Sequence, residues 1–404
     1  MTIPTLPIHP PVPPTDPSRR YPLDWLRIAA FALLVPYHVG MYYVSWDWHI
    51  KSPRWQLWLE PWMQMLSPWR MDLLFIVSGA ATALMLHDHA PSVPWLRRRS
   101  ARLLLPLLLG MLVIVPPQSY FEVQRRFGYT GSYLDFLPLY LRGGAGFCDA
   151  AHGCLILPTW NHLWYLPYLF AYTVLLWGLL RLWPGAIDAL ASAALRALRG
   201  IGLLLVPIAL LFVSRLLLAR RFPATHALVD DWFLHLQYLG MFLFGAVVAR
   251  AAPMMLRALA WRWPALVAAL AGWAVLQFLA MSGEGLPWMR ALAFSVLQWS
   301  ALVAALGFAQ RHADVDAPCR RTLAEAVFPL YLLHQTLIIL LAHALLPWAL
   351  PFEAEAPLLV AGTFALGWLG YRLALRSGPL RILFGLKPAA AARDARRTVA
   401  THRA

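Results

Sequence analysis

Polar and charged residues stand inside otherwise apolar stretches of this chain, and several have the type and spacing to do chemistry. Arg27 and His38 lie eleven residues apart in LDWLRIAAFALLVPYHVGMYY. At about 100° per residue, eleven steps close about three helical turns, so both side chains share one face about 16 Å apart along the axis. An imidazole titrates near neutrality when unperturbed, so His38 has the chemistry of a general base. A hydrogen-bonded interior histidine is the competing reading. Pro36, two residues before His38, would kink the helix or free a carbonyl there.

Further along, SPWRMDLLFIVSG carries Arg70 and Asp72. Two residues apart on a helix they cannot face each other, so each needs a partner elsewhere, either a structural ion pair or a substrate. The segment PWLRRRSARLLLP holds Arg97, Arg98, Arg99 and Arg102. Arg99 and Arg102 share a helix face and could cradle phosphates, since guanidinium groups bind phosphate oxygens bidentately. The alternative is a topology signal touching anionic lipid. WNHLWYL places His162 among aromatics that would also suit a membrane interface. EAVFPLYLLHQTLII carries Glu325 and His334, nine residues apart and therefore on opposite sides of a helix. No G-x-S-x-G, Walker, dinucleotide or H-E-x-x-H motif is present, so serine-hydrolase, P-loop and zinc-protease chemistry have no support, and no metal site is expected.

The elements that position these residues are membrane helices. Of 404 residues, 60% are AVILMFWYC and 13% charged, with mean hydropathy +0.58. Soluble domains carry about 25% charge, so a soluble enzyme, a disordered protein and a nucleic-acid-binding module are excluded. The net charge of +15 is spread as arginines between apolar runs, the pattern of basic cytoplasmic loops. Runs of roughly 20 apolar residues predict an all-α polytopic protein of ten spanning helices. They fall at 23–44, 57–86, 103–119, 162–182, 201–218, 231–250, 263–281, 287–309, 324–346 and 356–376. With a cytoplasmic N-terminus, 23 lysines and arginines fall on cytoplasmic segments and 7 on the opposite loops, which predicts both termini cytoplasmic.

Residues 1–22 are Pro-rich and are expected to form a disordered cytoplasmic tail, with no secretory signal peptide, so that the first span acts as an uncleaved anchor. The membrane domain would run over 23–376. Residues 377–404 would form a basic cytoplasmic tail lying on anionic lipid. The longest outer connection, 120–161, holds Cys148 and Cys154, which either form a small disulfide loop or remain free thiols. Cys319 is expected to be a reduced cytoplasmic thiol.

Taken together, Arg27-x10-His38, Phe75-Ile-Val-Ser78-Gly79, Arg99-Ser-Ala-Arg102 and Tyr331-Leu-Leu-His334 resemble, in order and spacing, the marks of the membrane acyltransferase 3 family. SWDWHIKSP, WRMDLLFIVSG and WNHLWYL are most similar to a subgroup associated with succinylation of osmoregulated periplasmic glucans. The resemblance implies a multi-pass protein of the bacterial inner membrane. It would move an acyl group, succinyl or acetyl, from cytoplasmic acyl-CoA to a hydroxyl of an envelope glucan or other polysaccharide. His38 would be the general base and Arg27 would guide the donor or stabilise charge. Arg99 and Arg102 would hold the CoA phosphates, and Arg70 a carboxylate on the acyl group. Asp72, His162, Glu325 and His334 are further candidates for substrate binding. The expected partners are the acyl-CoA, the glycan acceptor and membrane lipid, with no permanently bound cofactor and no nucleic acid. The rival class is a transporter of glycans or lipids, against which the chain shows no inverted repeat.

Overall fold

The computed structural model describes residues 21–88, 91–143, 146–149, 153–283 and 285–387. The expectations for 1–20 and 388–404 lie outside the described residues. Helix dominates. The order is α1 (Tyr21–Tyr43), α2 (Glu60–Asp88), α3 (Val93–Leu109), α4 (Pro116–Phe127), α5 (Tyr133–Arg142), α6 (Tyr165–Leu182) and α7 (Ala186–Ala197). It continues with α8 (Gly202–Leu218), α9 (Trp232–Arg250), α10 (Ala252–Met281), α11 (Pro287–His312), α12 (Arg320–Leu345), α13 (Phe352–Ala374) and α14 (Gly378–Leu383).

By length and apolarity, six helices among the described residues can cross a membrane, and up to eight if each of two bent pairs counts as one span. The structure is therefore an all-α, multi-pass membrane fold, with six to eight such helices where ten are expected from the sequence. The difference lies in α1 and α13. Both are 23-residue helices at the expected places, but polar side chains such as Arg27 and His38 in α1 and Glu353 and Glu355 in α13 dilute their apolarity.

Local chemistry explains two boundaries that the hydropathy pattern misses. The span expected at 103–119 starts ten residues earlier, because Ser92 caps α3 by accepting from the backbone N–H of Trp95 and Pro94 sits in the first turn. The arginines of this stretch are thus on a helix, not in a loop. Beyond Pro106 the chain passes through a π-turn, Gly110–Ile114, and α4 leaves at 44° to α3. The outer connection is also built rather than irregular. α5 opens with a capping box, Ser132 with Asp135. A two-residue antiparallel ladder joins Cys148–Asp149 to Gly153–Cys154, and Cys148 and Cys154 are disulfide-bonded. Cys319 is a free, exposed thiol.

The helices meet closely where side chains vanish. α2 crosses α9 with Gly79 against the backbone carbonyl of Phe242 and Gly245 against that of Ile76, so a Cβ at either position would strike backbone. α1 is tied to α12 by Arg320, fully buried, which bonds Asp316 on the approach to its own helix and Asp24 of α1. At the opposite end, the 44–56 loop is held to α4 through His49–Glu122 (2.5 Å) and the bond from Arg125 to the Trp48 carbonyl (2.7 Å). These clamps hold α1 to α12 and the outer loop to α4, and α1, α2, α8, α9, α11 and α12 enclose one interior space.

Candidate active site

That space is a cavity of about 320 Å³. His38 of α1, Arg70 and Asp72 of α2, His162 of the 3-10 turn Asn161–Trp164, and His334 of α12 all line it. Five of the residues singled out by sequence thus converge from four separate segments.

Carbonyl oxygens only accept, so they fix which imidazole nitrogens carry protons. His334 Nδ1 lies 2.6 Å from the Tyr331 carbonyl and must donate to it. Its Nε2 is then an acceptor, 3.3 Å from His38 Nδ1. His38 Nδ1 also lies 2.8 Å from the Leu34 carbonyl, so its proton is shared between that oxygen and His334. The Nε2 of His38 is left with a lone pair. α1 runs through Pro36 without a break. His162 Nε2 donates to the Leu332 carbonyl at 3.1 Å, and its Nδ1 accepts from Gln118 at 3.2 Å. The His162 and His334 rings meet edge to face, 5.0 Å between centroids. Among the described residues, no three His, Cys, Asp or Glu side chains are grouped to hold a metal ion.

Arg70 and Asp72 do not pair, as their spacing requires. The Arg70 guanidinium lies 3.2 Å over the Tyr37 ring. Asp72 accepts from Gln298 Nε2 at 2.6 Å, and Gln298 Oε1 accepts from Arg215 at 2.9 Å. Arg215 and Gln298 both line the cavity, and sequence reasoning missed both. Arg215 is visible as an arginine inside an apolar run, which is the signal that finds it. Gln298 carries no such mark. His226, in the connection before α9, also lines the cavity, its ring 4.2 Å from that of Trp164. Burial holds its pKa down at about 4.

The remaining candidates gather elsewhere. Arg27 donates to the Ala324 carbonyl at 3.3 Å and lies 3.8 Å from Asp24. Arg102 donates to the Gly385 carbonyl at 2.9 Å, and Arg99 approaches Thr82 at 3.5 Å with its buried Nε unpartnered. Arg27 is within electrostatic range of both. Glu325 accepts from Tyr371 (3.1 Å) and Arg381 (3.4 Å), on the side of α12 away from His334. The sequence candidates therefore fall into two groups, a basic cluster and a histidine cavity. Between them along α1 stands Phe31, whose ring packs against Tyr165 (6.4 Å) and Tyr331 (5.4 Å). The Ser78 hydroxyl of the F-x-x-S-G segment bonds the Tyr165 hydroxyl.

A protein-family signature described as an acyltransferase domain matches residues 20–372. Among curated proteins, "Glucans biosynthesis protein C" of Shigella dysenteriae serotype 1 is 29% identical over 162 residues, covering 40% of this chain and 39% of that protein. The protein of the same name from Escherichia coli K12 is 28% identical over the same length and shares. The matched stretch thus spans well under half of these relatives. No solved structure matches the chain.

Proposed function

The chain belongs to the acyltransferase 3 family, and from that premise we propose that it transfers an acyl group from cytoplasmic acyl-CoA to a hydroxyl of an envelope glucan. The observation that carries this reading is the lone pair on His38 Nε2, held in a cavity by fixed partners on Nδ1. In the proposed reaction, His38 Nε2 takes the proton of the acceptor hydroxyl. The oxygen attacks the thioester carbonyl, and the tetrahedral intermediate expels the CoA thiolate, which recovers a proton from the imidazolium. The Leu34 carbonyl and His334 Nε2 both face the Nδ1 proton, so the positive charge that forms on His38 is met by two acceptors.

The basic cluster supplies the donor side. Arg99 and Arg102 hold CoA phosphates, and Arg27 steers the pantetheine arm along α1 toward His38. The aromatic trio of Phe31, Tyr165 and Tyr331 lies on that path, so the arm passes by displacing or threading it. His162 and His334 orient the reacting groups, and Glu325 ties the cluster to α13 and α14. In this reading α1, α13 and each bent pair are single spans, which makes ten. The excess of basic residues then puts the Arg99–Arg102 end in the cytoplasm of an inner-membrane protein. The glucan acceptor follows from the name of the relatives, and either succinyl or acetyl satisfies the chemistry at His38.

The test is thiol release from succinyl-CoA and acetyl-CoA by the purified chain with a periplasmic glucan extract, beside His38→Ala. Release and glucan labelling that vanish with His38 support the reading. Donor binding by neither arm would favour a transporter.

A further inference from the structure

Three buried side chains on the cavity wall carry hydrogen-bond donors that the described residues leave without an acceptor. They are Nε and Nη1 of Arg70, Nε of Arg215 and Nε2 of Gln237. Arg70 comes from α2, Arg215 from α8 and Gln237 from α9. Buried donors are normally satisfied, so three from separate helices around one space point to a ligand that brings the acceptors.

Charge narrows the ligand. Among the described residues lining the cavity, Arg70 and Arg215 are the guanidinium cations and Asp72 the carboxylate. Asp72 is engaged through Gln298, which in turn holds one nitrogen of Arg215. Each guanidinium lies against an aromatic face, Arg70 on Tyr37 at 3.2 Å and Arg215 on Phe294 at 4.0 Å. A ring face steadies the cation without consuming its N–H groups, which stay available along the edge of the fork. Such forks suit oxyanions.

We propose that Arg70 and Arg215, with Gln237, form an oxyanion subsite beside His38. It binds a carboxylate group carried by one of the two reactants. Asp72 is then a positioning residue that fixes Arg215 through Gln298. The proposal rests on the acyl-transfer reading for the identity of the reactants, while the subsite itself rests on the unpartnered donors.

The experiment measures kcat/KM by thiol release from succinyl-CoA and butyryl-CoA, four-carbon acyl groups that differ in the terminal carboxylate. Each donor is paired with a neutral glucose oligosaccharide and with its glucuronate-terminated counterpart. The wild-type chain is expected to favour one charged reactant by about tenfold or more. Arg70→Gln and Arg215→Gln should erase that preference while butyryl transfer to the neutral acceptor persists, which also shows that the variants fold. Loss of succinyl preference assigns the oxyanion to the donor; loss of glucuronate preference assigns it to the acceptor. Asp72→Asn should raise the KM of the charged reactant by more than it raises that of the neutral pair, a difference that a purely structural loss would not produce.

A second readout is thermal unfolding in sodium succinate against sodium chloride of matched ionic strength. Stabilisation by succinate that is absent from both arginine variants supports the subsite. If Arg70→Gln does not fold, Arg215→Gln and Gln237→Leu carry the same comparison. A wild-type chain with no charge preference and no stabilisation by succinate overturns the subsite, as does a preference that survives the substitutions. A chain that cleaves no thioester but is stabilised by succinate through Arg70 and Arg215 keeps the subsite and removes the acyl-transfer reading.

Discussion

His334 Nε2 lies 3.3 Å from His38 Nδ1, although 296 residues separate them. The Tyr331 carbonyl holds the His334 proton on the far nitrogen, so the near one can only accept. His334 therefore joins the Leu34 carbonyl in holding the His38 proton on Nδ1, which leaves the lone pair on Nε2. Replacing His334 by Gln, whose amide can still accept, should lower kcat about tenfold and displace the pH profile, with donor KM unchanged. His38→Ala should cost about 10²–10⁴-fold in rate, the usual contribution of a positioned base. Steady-state kinetics across pH checks both. An unaltered pH profile in His334→Gln would reduce His334 to packing.

The basic cluster makes a prediction of the opposite kind. If Arg99 and Arg102 hold the CoA phosphates as proposed, Arg99→Ala with Arg102→Ala removes contacts remote from the reacting atoms. Apparent KM for acyl-CoA should rise about tenfold or more, the loss of one or two charge-assisted bonds, while kcat at saturation is retained. Equal kinetics with the wild type would return these arginines to setting topology.

The α2–α9 crossing should tolerate no side chain. A Cβ at Gly79 or Gly245 meets a backbone carbonyl of the other helix, which cannot rotate away. Gly79→Ala should therefore destabilise by about 1–3 kcal/mol, the range for overpacking. Ala at Gly178 in α6, where a Cβ has nothing within 4 Å, should be neutral. Thermal unfolding in one detergent compares the two.

The connection before α9 gives a pH signature. Burial, with the Arg70 charge adding to it and Asp231 opposing, holds His226 at about 4 against 6.5. Between those values the folded chain binds fewer protons than the unfolded one, so stability should fall as pH drops from 6.5 to 4 and this contribution should level off below. His226→Gln should flatten that slope. An identical slope in the variant would show that other groups carry it.

Much of this was legible before any tertiary information. Apolar runs of membrane length follow from the need to satisfy every backbone polar group in lipid, so composition alone determined the helical, multi-pass class. Helical periodicity placed Arg27 and His38 on one face, kept Arg70 from Asp72, and turned Glu325 away from His334, because these are angles within one helix. The spacing of Cys148 and Cys154 left a disulfide open, and the hairpin between them decided it. Helix boundaries were less legible, since α3 begins at a cap and α10 extends back to Ala252 past Arg257 and Arg262, whose charges read as a loop.

What the sequence could not determine is which faces meet. His38, His162 and His334 come from three distant segments, and Asp72, Gln298 and Arg215 from three more helices. Their meeting depends on glycine-governed crossings and on buried clamps such as Arg320 with Asp24. Periodicity fixes where a side chain points around its own axis; only the packing of one helix against another decides what it points at.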